Sequence, residues 1–308
     1  MSLAIVFPGQ GSQVVGMMSA LSEEYGIVKD LYVEASDELG VDLWKMTQEG
    51  PIESLSMTEN TQPALLVAGV AAWRVWQQEG GQTPTMMAGH SLGEYTALVC
   101  AGAIPFTQGV SLVRDRGRYM QSAVPEGEGG MAAIIGLDDA AVAQVCEEMA
   151  QGDVLQAVNF NAPGQVVIAG SASAIERAAP AMKEAGAKRA LPLPVSIPAH
   201  SRLMSSATPK LAERLAAVDV SVPEIPVLHN ANVSIASTAE DVAANLVSQL
   251  DSPVRWVESI EAMESQGITR YIESGPGKVL CGMIKRIAKG SHVGNIDTPA
   301  AMQAQLET

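Results

Sequence analysis

Apolar residues in this chain follow two rhythms. Short continuous runs closed by Gly or Pro alternate with longer stretches in which apolar positions recur about every three to four residues. The first rhythm predicts strands buried on both faces, the second amphipathic helices. Leu3–Phe7, closed by Pro8-Gly9, predicts a buried strand, and helical patterns follow to about Gln48. Asn60-Thr61-Gln62-Pro63 joins a capping residue to a first-turn proline and predicts a helix start; that helix runs to Glu79 and stops at Gly80-Gly81. Thr85–Ala88 predicts a second buried strand. A helix opens just after Ser91 and reaches about Ala101, and another spans Phe106 to Ala123. This alternation predicts an α/β layer structure around a mostly parallel sheet.

The rhythm changes between Pro125 and Pro198. Pro125-Glu126-Gly127-Glu128-Gly129-Gly130 reads as a linker. Met131–Leu137 reads as a strand, and Asp138 as the cap of a helix to about Ala150. Val154–Phe160 and Gln165–Ala169 read as strands joined by Asn161-Ala162-Pro163-Gly164. Ser171–Gly186 reads as a helix and Lys188–Leu193 as a last strand. The order β-α-β-β-α-β is the ferredoxin-like pattern. It predicts a small subdomain at 125–197 inserted into a discontinuous larger domain, 1–124 and 198–308. The total of 308 residues is about two domains' worth. After Pro192, Pro194 and Pro198 come predicted helices near Leu203–Ala217 and Thr238–Leu250, a strand at Arg270–Ser274, and a turn at Gly275-Pro276-Gly277.

Composition narrows the class. With 47% apolar and 17% charged residues, the chain has ample core material and is not a disordered one. A net charge of −15 argues against nucleic-acid binding through bulk charge. Cys100, Cys146 and Cys281 form no CxxC pair, and His90, His200, His229 and His292 form no linear metal motif; we expect reduced thiols, a cytoplasmic setting and no metal. The N-terminal segment has no basic residue before Lys29 and does not read as a secretory signal. The longest apolar runs, Pro63–Trp73 and Thr96–Phe106, are shorter than the ~20 residues a membrane span takes.

Gly89-His90-Ser91-Leu92-Gly93 matches G-x-S-x-G between an apolar strand and a helix. The glycines allow a sharp turn that lifts the serine hydroxyl above the sheet, and the helix N-terminus favours negative charge there. The bland reading is a tight strand–helix turn with a capping serine. A serine hydroxyl needs a base. His200, on the Pro-bracketed loop Ile197–Ser201, follows the serine in the order of α/β hydrolases; an ordinary exposed histidine is the alternative. His90 is a rival, but side chains of neighbouring residues diverge. Nothing singles out a third, orienting group, with Asp241 and Asp251 both open. Gly9-Gln10-Gly11-Ser12-Gln13 fails as a dinucleotide fingerprint because Val14 stands in the third glycine's place. It reads either as a simple turn or as backbone N–H groups aimed at an oxyanion.

Arg116 is the most informative charge. The stripe of the Phe106–Ala123 helix is Phe106, Val110, Val113, Gly117 and Met120, with Arg114 and Arg118 off it. Arg116 falls at its edge, about 60° from Val113. An arginine pointing inward needs an anionic partner, either a structural carboxylate or a carboxylate on a substrate.

These motifs together resemble the malonyl-CoA:acyl carrier protein transacylases of fatty acid synthesis and, more broadly, the acyltransferase domains of polyketide synthases. The resemblance runs over essentially the whole chain: Phe7–Gln13, Thr61-Gln62-Pro63-Ala64, Gly89–Tyr95, Arg116-Gly117 with Met120-Gln121, Asn159–Gln165, Pro198-Ala199-His200-Ser201, and Gly275-Pro276-Gly277. It implies a hydrolase-like α/β core carrying an inserted ferredoxin-like subdomain. It implies Ser91 as the acylated nucleophile, His200 as its base, and Arg116 as the binder of the malonyl carboxylate. It also implies backbone N–H groups of Gln10 and Leu92 as the oxyanion hole and the backbone carbonyl of Gln249 as the group orienting the histidine. Malonyl-CoA and acyl carrier protein would be the substrates, with no cofactor, and the chain would act as a monomer. Lys188-Arg189 and Lys285-Arg286 with Lys289 are the densest basic clusters for docking an acidic carrier protein, against a bland reading as solvated surface. A serine hydrolase shares the elbow and the histidine, but Arg116 and the inserted subdomain favour transfer of an acidic acyl group. A non-catalytic docking subunit could lose Ser91 or His200, and both are present.

Overall fold

The computed structural model describes residues 2–195 and 197–308. Strands β1 (Ser2–Phe7) and β2 (Met86–Gly89) come first. Four strands follow in a group: β3 (Gly129–Ile135), β4 (Leu155–Ala162), β5 (Gln165–Ser171) and β6 (Arg189–Pro192). The chain then forms β7 (Val227–Leu228), β8 (Ile268–Glu273) and β9 (His292–Asn295). The strands before and after the group make one parallel sheet, ordered β7-β2-β1-β8-β9. The group makes a separate antiparallel sheet, ordered β4-β5-β3-β6. The fold is α/β, a hydrolase-like core with a mostly parallel sheet and an inserted ferredoxin-like unit.

The solid apolar run of β1 is buried on both faces. Leu3, Ile5 and Phe7 join the large core cluster on one side, and Ala4 and Val6 join the cluster with Trp256 and Tyr271 on the other. Alternate residues of a strand point to opposite faces, so a strand covered by helices on both sides carries apolar residues throughout. The antiparallel sheet differs. One face, with Ala132, Ile134, Val166 and Ile168, packs on the helices Asp139–Ala150 and Ala172–Glu184. The opposite face, with Met131, Val167 and Ala169, turns toward Leu193, Val195 and Ala199 of the segment that returns to the larger body. Backbone hydrogen bonds tie β4 to the larger body, Phe160 N to Val254 O at 3.0 Å and Val254 N to Val158 O at 2.8 Å.

Some elements depart from the sequence expectation. Gly129 and Gly130, expected in a linker, pair with Ser171 and Gly170 and open β3. The helix expected at Asn60 starts earlier, as Thr58–Gln78 with Pro63 inside it, and Asn60 Nδ2 reaches back to Ser54 O instead of capping. The single helix expected near Leu203–Ala217 is a 3-10 turn, Arg202–Met204, followed by the helix Thr208–Leu215. Pro209 stands in the first turn of that helix, where its missing N–H leaves no intrahelical bond unmade, so it marks a helix start there and not the interior of a longer helix.

Two glycines set the turn after β2. A Cβ at Gly89 would lie 1.9 Å from Gly93 C and O, and one at Gly93 would lie 2.0 Å from Phe7 O. Backbone meets backbone there, with no flexible side chain to yield. Gly93→Ala is therefore expected to destabilise the fold by about 3 kcal/mol, the upper range for overpacking. Urea unfolding checks this, and a midpoint at the wild-type value would contradict it.

Candidate active site

The C-terminal ends of the parallel strands converge at one place, the usual ligand side of such a sheet. β1 delivers Gly9-Gln10, β2 delivers His90-Ser91 and β7 delivers His229-Asn230. Ser91 has φ 53° and ψ −106°, a strained conformation for a residue with a Cβ, held by the glycine contacts on either side. Its N–H donates to Asn230 Oδ1 at 2.7 Å, and Asn230 Nδ2 donates to Gly89 O at 2.7 Å, so one side chain clamps both limbs of the turn. The Gly9 Cα packs on the His90 carbonyl; a Cβ there would lie 2.5 Å from His90 O. That approach brings the Gln10 loop beside Ser91. Among the described residues, neither the Gln10 N–H nor the Leu92 N–H, first in its helix, is hydrogen-bonded.

His200 meets Ser91 across 109 positions of sequence: Nε2 lies 2.7 Å from Ser91 Oγ. Its Nδ1–H donates to the Gln249 carbonyl at 2.8 Å, which fixes the tautomer and leaves Nε2 as the acceptor. No carboxylate takes this place. Asp241 accepts from Ser237 and Asp251 from Ser205, each away from the ring. His90 is not the partner of Ser91: its Nε2 bonds Asn161 Oδ1 at 2.7 Å and its ring packs edge-on to Trp256.

Arg116, placed at the stripe edge by helical geometry, is 1% exposed. Among the described residues, no carboxylate meets it. NH1 donates to Gln62 Oε1 at 2.8 Å and NH2 to Gln249 Oε1 at 2.9 Å, with Ser91 Oγ 3.3 Å from NH2. The guanidinium stacks on Tyr95 at 5.0 Å, and its Nε has no partner among the described residues. The off-stripe arginines are occupied elsewhere, Arg114 with the Leu39 carbonyl and Arg118 with Glu59 at 2.7 Å. A buried cation held by neutral groups retains capacity for an anion.

Ser91, His200, Arg116, Gln10 and Leu92 share the lining of one cavity of about 130 Å³. The face of the antiparallel sheet turned away from its own helices supplies Met131 and Val167, and the return loop supplies Leu193, Val195 and Ile197. A seryl hydroxyl, a neutral imidazole, free backbone N–H groups and an unneutralised guanidinium around one apolar chamber suit acyl transfer through serine, with an anionic group on the acyl chain.

Comparison with known proteins agrees. The family model described as "Acyl transferase domain" matches residues 4–295. The chain belongs to the acyltransferase family. It is 56% identical to the malonyl CoA-acyl carrier protein transacylase of Salmonella typhimurium over 98% of each chain. Among solved structures it is similar to an acyl carrier protein S-malonyltransferase from Vibrio cholerae, at 54% identity and TM-score 0.96 with 99% of both chains covered. It is also similar to a malonyl-transacylase in complex with a type II PKS acyl-carrier protein, at 51% identity and TM-score 0.98 with 100% of this chain and 99% of that one covered.

Several residues around this acyltransferase site escape a linear reading. Gln62 and Asn161 lie inside motifs but carry no sign of their partners. Glu94, His229, Asn230 and the Gln249 side chain are wholly buried, and only the fold brings them together. A glutamate inside an otherwise apolar helix, Leu92–Cys100, was the available signal for Glu94. No group of three or more His, Cys, Asp or Glu among the described residues is arranged to hold a metal.

Burial holds the His200 imidazole down to about 3, aided by the nearby Arg116 charge and opposed by the bond to the Gln249 carbonyl. Burial also lowers His90. The unfolded chain then binds protons near pH 6.5 that the folded acyltransferase does not. Stability is full above that pH and is lost as pH falls from 6.5 toward 3. Urea unfolding across this range is expected to show the slope, and His200→Ala to remove part of it. Equal slopes in the two proteins would mean that His200 titrates as an ordinary histidine.

Proposed function

We propose that this acyltransferase carries a malonyl group from malonyl-CoA to the phosphopantetheine thiol of acyl carrier protein, supplying extender units for fatty acid biosynthesis. The observation that carries the reading is Arg116, a buried guanidinium without a carboxylate partner, beside Ser91 Oγ in the cavity. A bidentate guanidinium–carboxylate pair would seat the free end of a malonyl group there. Its thioester carbonyl would then face Ser91.

Ser91 Oγ attacks the thioester carbon while His200 Nε2 takes its proton. The oxyanion is held by the Gln10 and Leu92 N–H groups. The C–S bond breaks, the thiolate leaves as coenzyme A with the proton from His200, and malonyl-Ser91 remains. The carrier thiol then enters, gives its proton to His200 and attacks the ester carbonyl, and Ser91 leaves with that proton. The reaction is ping-pong and needs no cofactor. The Gln249 carbonyl keeps the ring oriented throughout.

We assign residues 125–197 as an inserted subdomain and 1–124 with 198–308 as the catalytic body. The antiparallel sheet and its helix-facing core draw only on residues within the insert. No helix among the described residues is long and apolar enough to cross a membrane. We place the enzyme in the cytoplasm as a monomer. Of the basic clusters, Lys188-Arg189 and Lys285-Arg286 with Lys289 are exposed, although Arg286 is engaged with Gln165 and the Pro163 carbonyl. We propose them as the carrier docking ground. Mass spectrometry of the intact protein after exposure to malonyl-CoA tests the whole reading. The expected result is one malonyl adduct, located on Ser91 and discharged by holo acyl carrier protein. Discharge at the same rate without carrier would make the protein a hydrolase instead.

A further inference from the structure

Beneath the serine turn lies a buried acid that the reaction does not touch. Glu94, 0% exposed, sits in the first turn of the Leu92–Cys100 helix. Its Oε1 accepts from His229 Nδ1 at 2.7 Å, and its Oε2 accepts from the Asn230 N–H at 2.9 Å and Gln249 Nε2 at 2.8 Å. No arginine or lysine neutralises it among the described residues.

The Gln249 amide lies between Glu94 and Arg116, and hydrogen-bond chemistry permits it one orientation. Its Nε2 faces two groups that only accept, Glu94 Oε2 and the Ser91 carbonyl at 2.9 Å. Its Oε1 faces a group that only donates, the Arg116 guanidinium. Turning the amide over would set oxygen against oxygen and NH2 against guanidinium. The acid, together with the Ser91 carbonyl, therefore sets which end of the amide Arg116 meets.

We propose that Glu94 is a positioning residue for acyl selection: through the Gln249 amide it aims the Arg116 guanidinium into the cavity without neutralising it. A carboxylate in direct contact with Arg116 would compete with the carboxylate of the acyl group. One amide farther away, it orients the cation and leaves its charge for the substrate. The inference rests on malonyl-CoA being the substrate.

The test is kcat/KM for malonyl-CoA over acetyl-CoA, with KM and kcat resolved and melting temperature recorded. Glu94→Ala and Gln249→Met are each expected to lower that ratio about 10- to 100-fold, the worth of a hydrogen bond to a charged group, mainly through KM for malonyl-CoA. In the Gln249→Met background, Glu94→Ala should change the ratio by less than about twofold, because the relay is already cut. Glu94→Gln should keep most of the preference. Its amide oxygen can accept from Asn230 and Gln249 while its NH2 donates to His229 Nδ1 in the other tautomer. If Glu94→Ala does not fold, the exchange Glu94→Gln with Gln249→Glu decides, since it keeps the overall charge but sets a carboxylate on Arg116. The malonyl preference should then vanish, and its survival would overturn the proposal. Equal losses with both substrates in Glu94→Ala and Gln249→Met would make Glu94 part of the scaffold. A wild-type protein that forms no malonyl adduct, or shows no malonyl preference, would instead remove the functional reading beneath it.

Discussion

Ser91→Ala should form no malonyl adduct and transfer no acyl group, while melting close to wild type. The turn's geometry comes from Gly89, Gly93 and the Asn230 clamp, none of which needs the hydroxyl. The lost contacts are those of Oγ with His200 Nε2 and the Arg116 guanidinium, both in the site. His200→Ala should retain the serine but slow acylation by about 10² to 10⁴, the reach of general-base catalysis. His90→Ala should do far less, since the His90 ring is committed to Asn161. Single-turnover release of coenzyme A measures all three. An adduct persisting in Ser91→Ala would place the nucleophile elsewhere, and a large loss in His90→Ala with none in His200→Ala would exchange the roles of the histidines.

Arg116→Ala should lower kcat/KM for malonyl-CoA by about 10² to 10³ or more, as for removal of one partner of a buried ion pair worth about 3–5 kcal/mol. Activity with acetyl-CoA should hold or rise, because no buried cation then waits unpaired against a methyl group. Arg116→Lys should rescue poorly. A single ammonium cannot span Gln62 Oε1, Gln249 Oε1 and a bidentate carboxylate together. The base should respond too: without the Arg116 charge, His200 should move upward toward its ordinary value, since that charge is among the causes that hold it down. A scaffold role makes a different forecast, with a lower melting temperature and both acyl groups transferred less. The ratio of kcat/KM for the two thioesters, wild type against variant, separates these outcomes. An unmoved ratio would mean that the carboxylate is held elsewhere.

Several features of this site are legible along the chain because they are local. A strand, a sharp glycine turn and a helix are consecutive in sequence, so Gly89–Gly93 marks Ser91 as a candidate nucleophile by itself. Helical periodicity is local as well, and it sets Arg116 apart from Arg114 and Arg118 using nothing beyond the 18 residues of the Phe106–Ala123 helix. The solid apolar runs mark the strands of the parallel sheet for the same reason, since each strand's burial is recorded in its own residues, and the order of elements marks the antiparallel unit. Local signals blur at element ends. Gly129 and Gly130 look like a linker but pair in β3, because strand pairing rewards backbone groups whatever the side chain.

What the tertiary structure alone decided is every partnership. Motif order and resemblance name Ser91 and His200, but only the packing of the return loop against the turn brings them to 2.7 Å. The group that orients the histidine is a backbone carbonyl, and all residues have one; no side-chain pattern can mark Gln249, which is why Asp241 and Asp251 stayed open on the residues alone. The partners of Arg116 are likewise invisible in sequence. An inward arginine demands an oxygen, and an amide, a structural carboxylate or a substrate satisfies that demand equally until the fold shows Gln62 and Gln249 in place. Glu94, His229 and Asn230 form a network only because separate strands and helices end at the same edge of the sheet. Sequence thus determined which chemistry each segment carries. Distance, burial and charge balance belong to contacts between segments, and those exist only once the chain has folded.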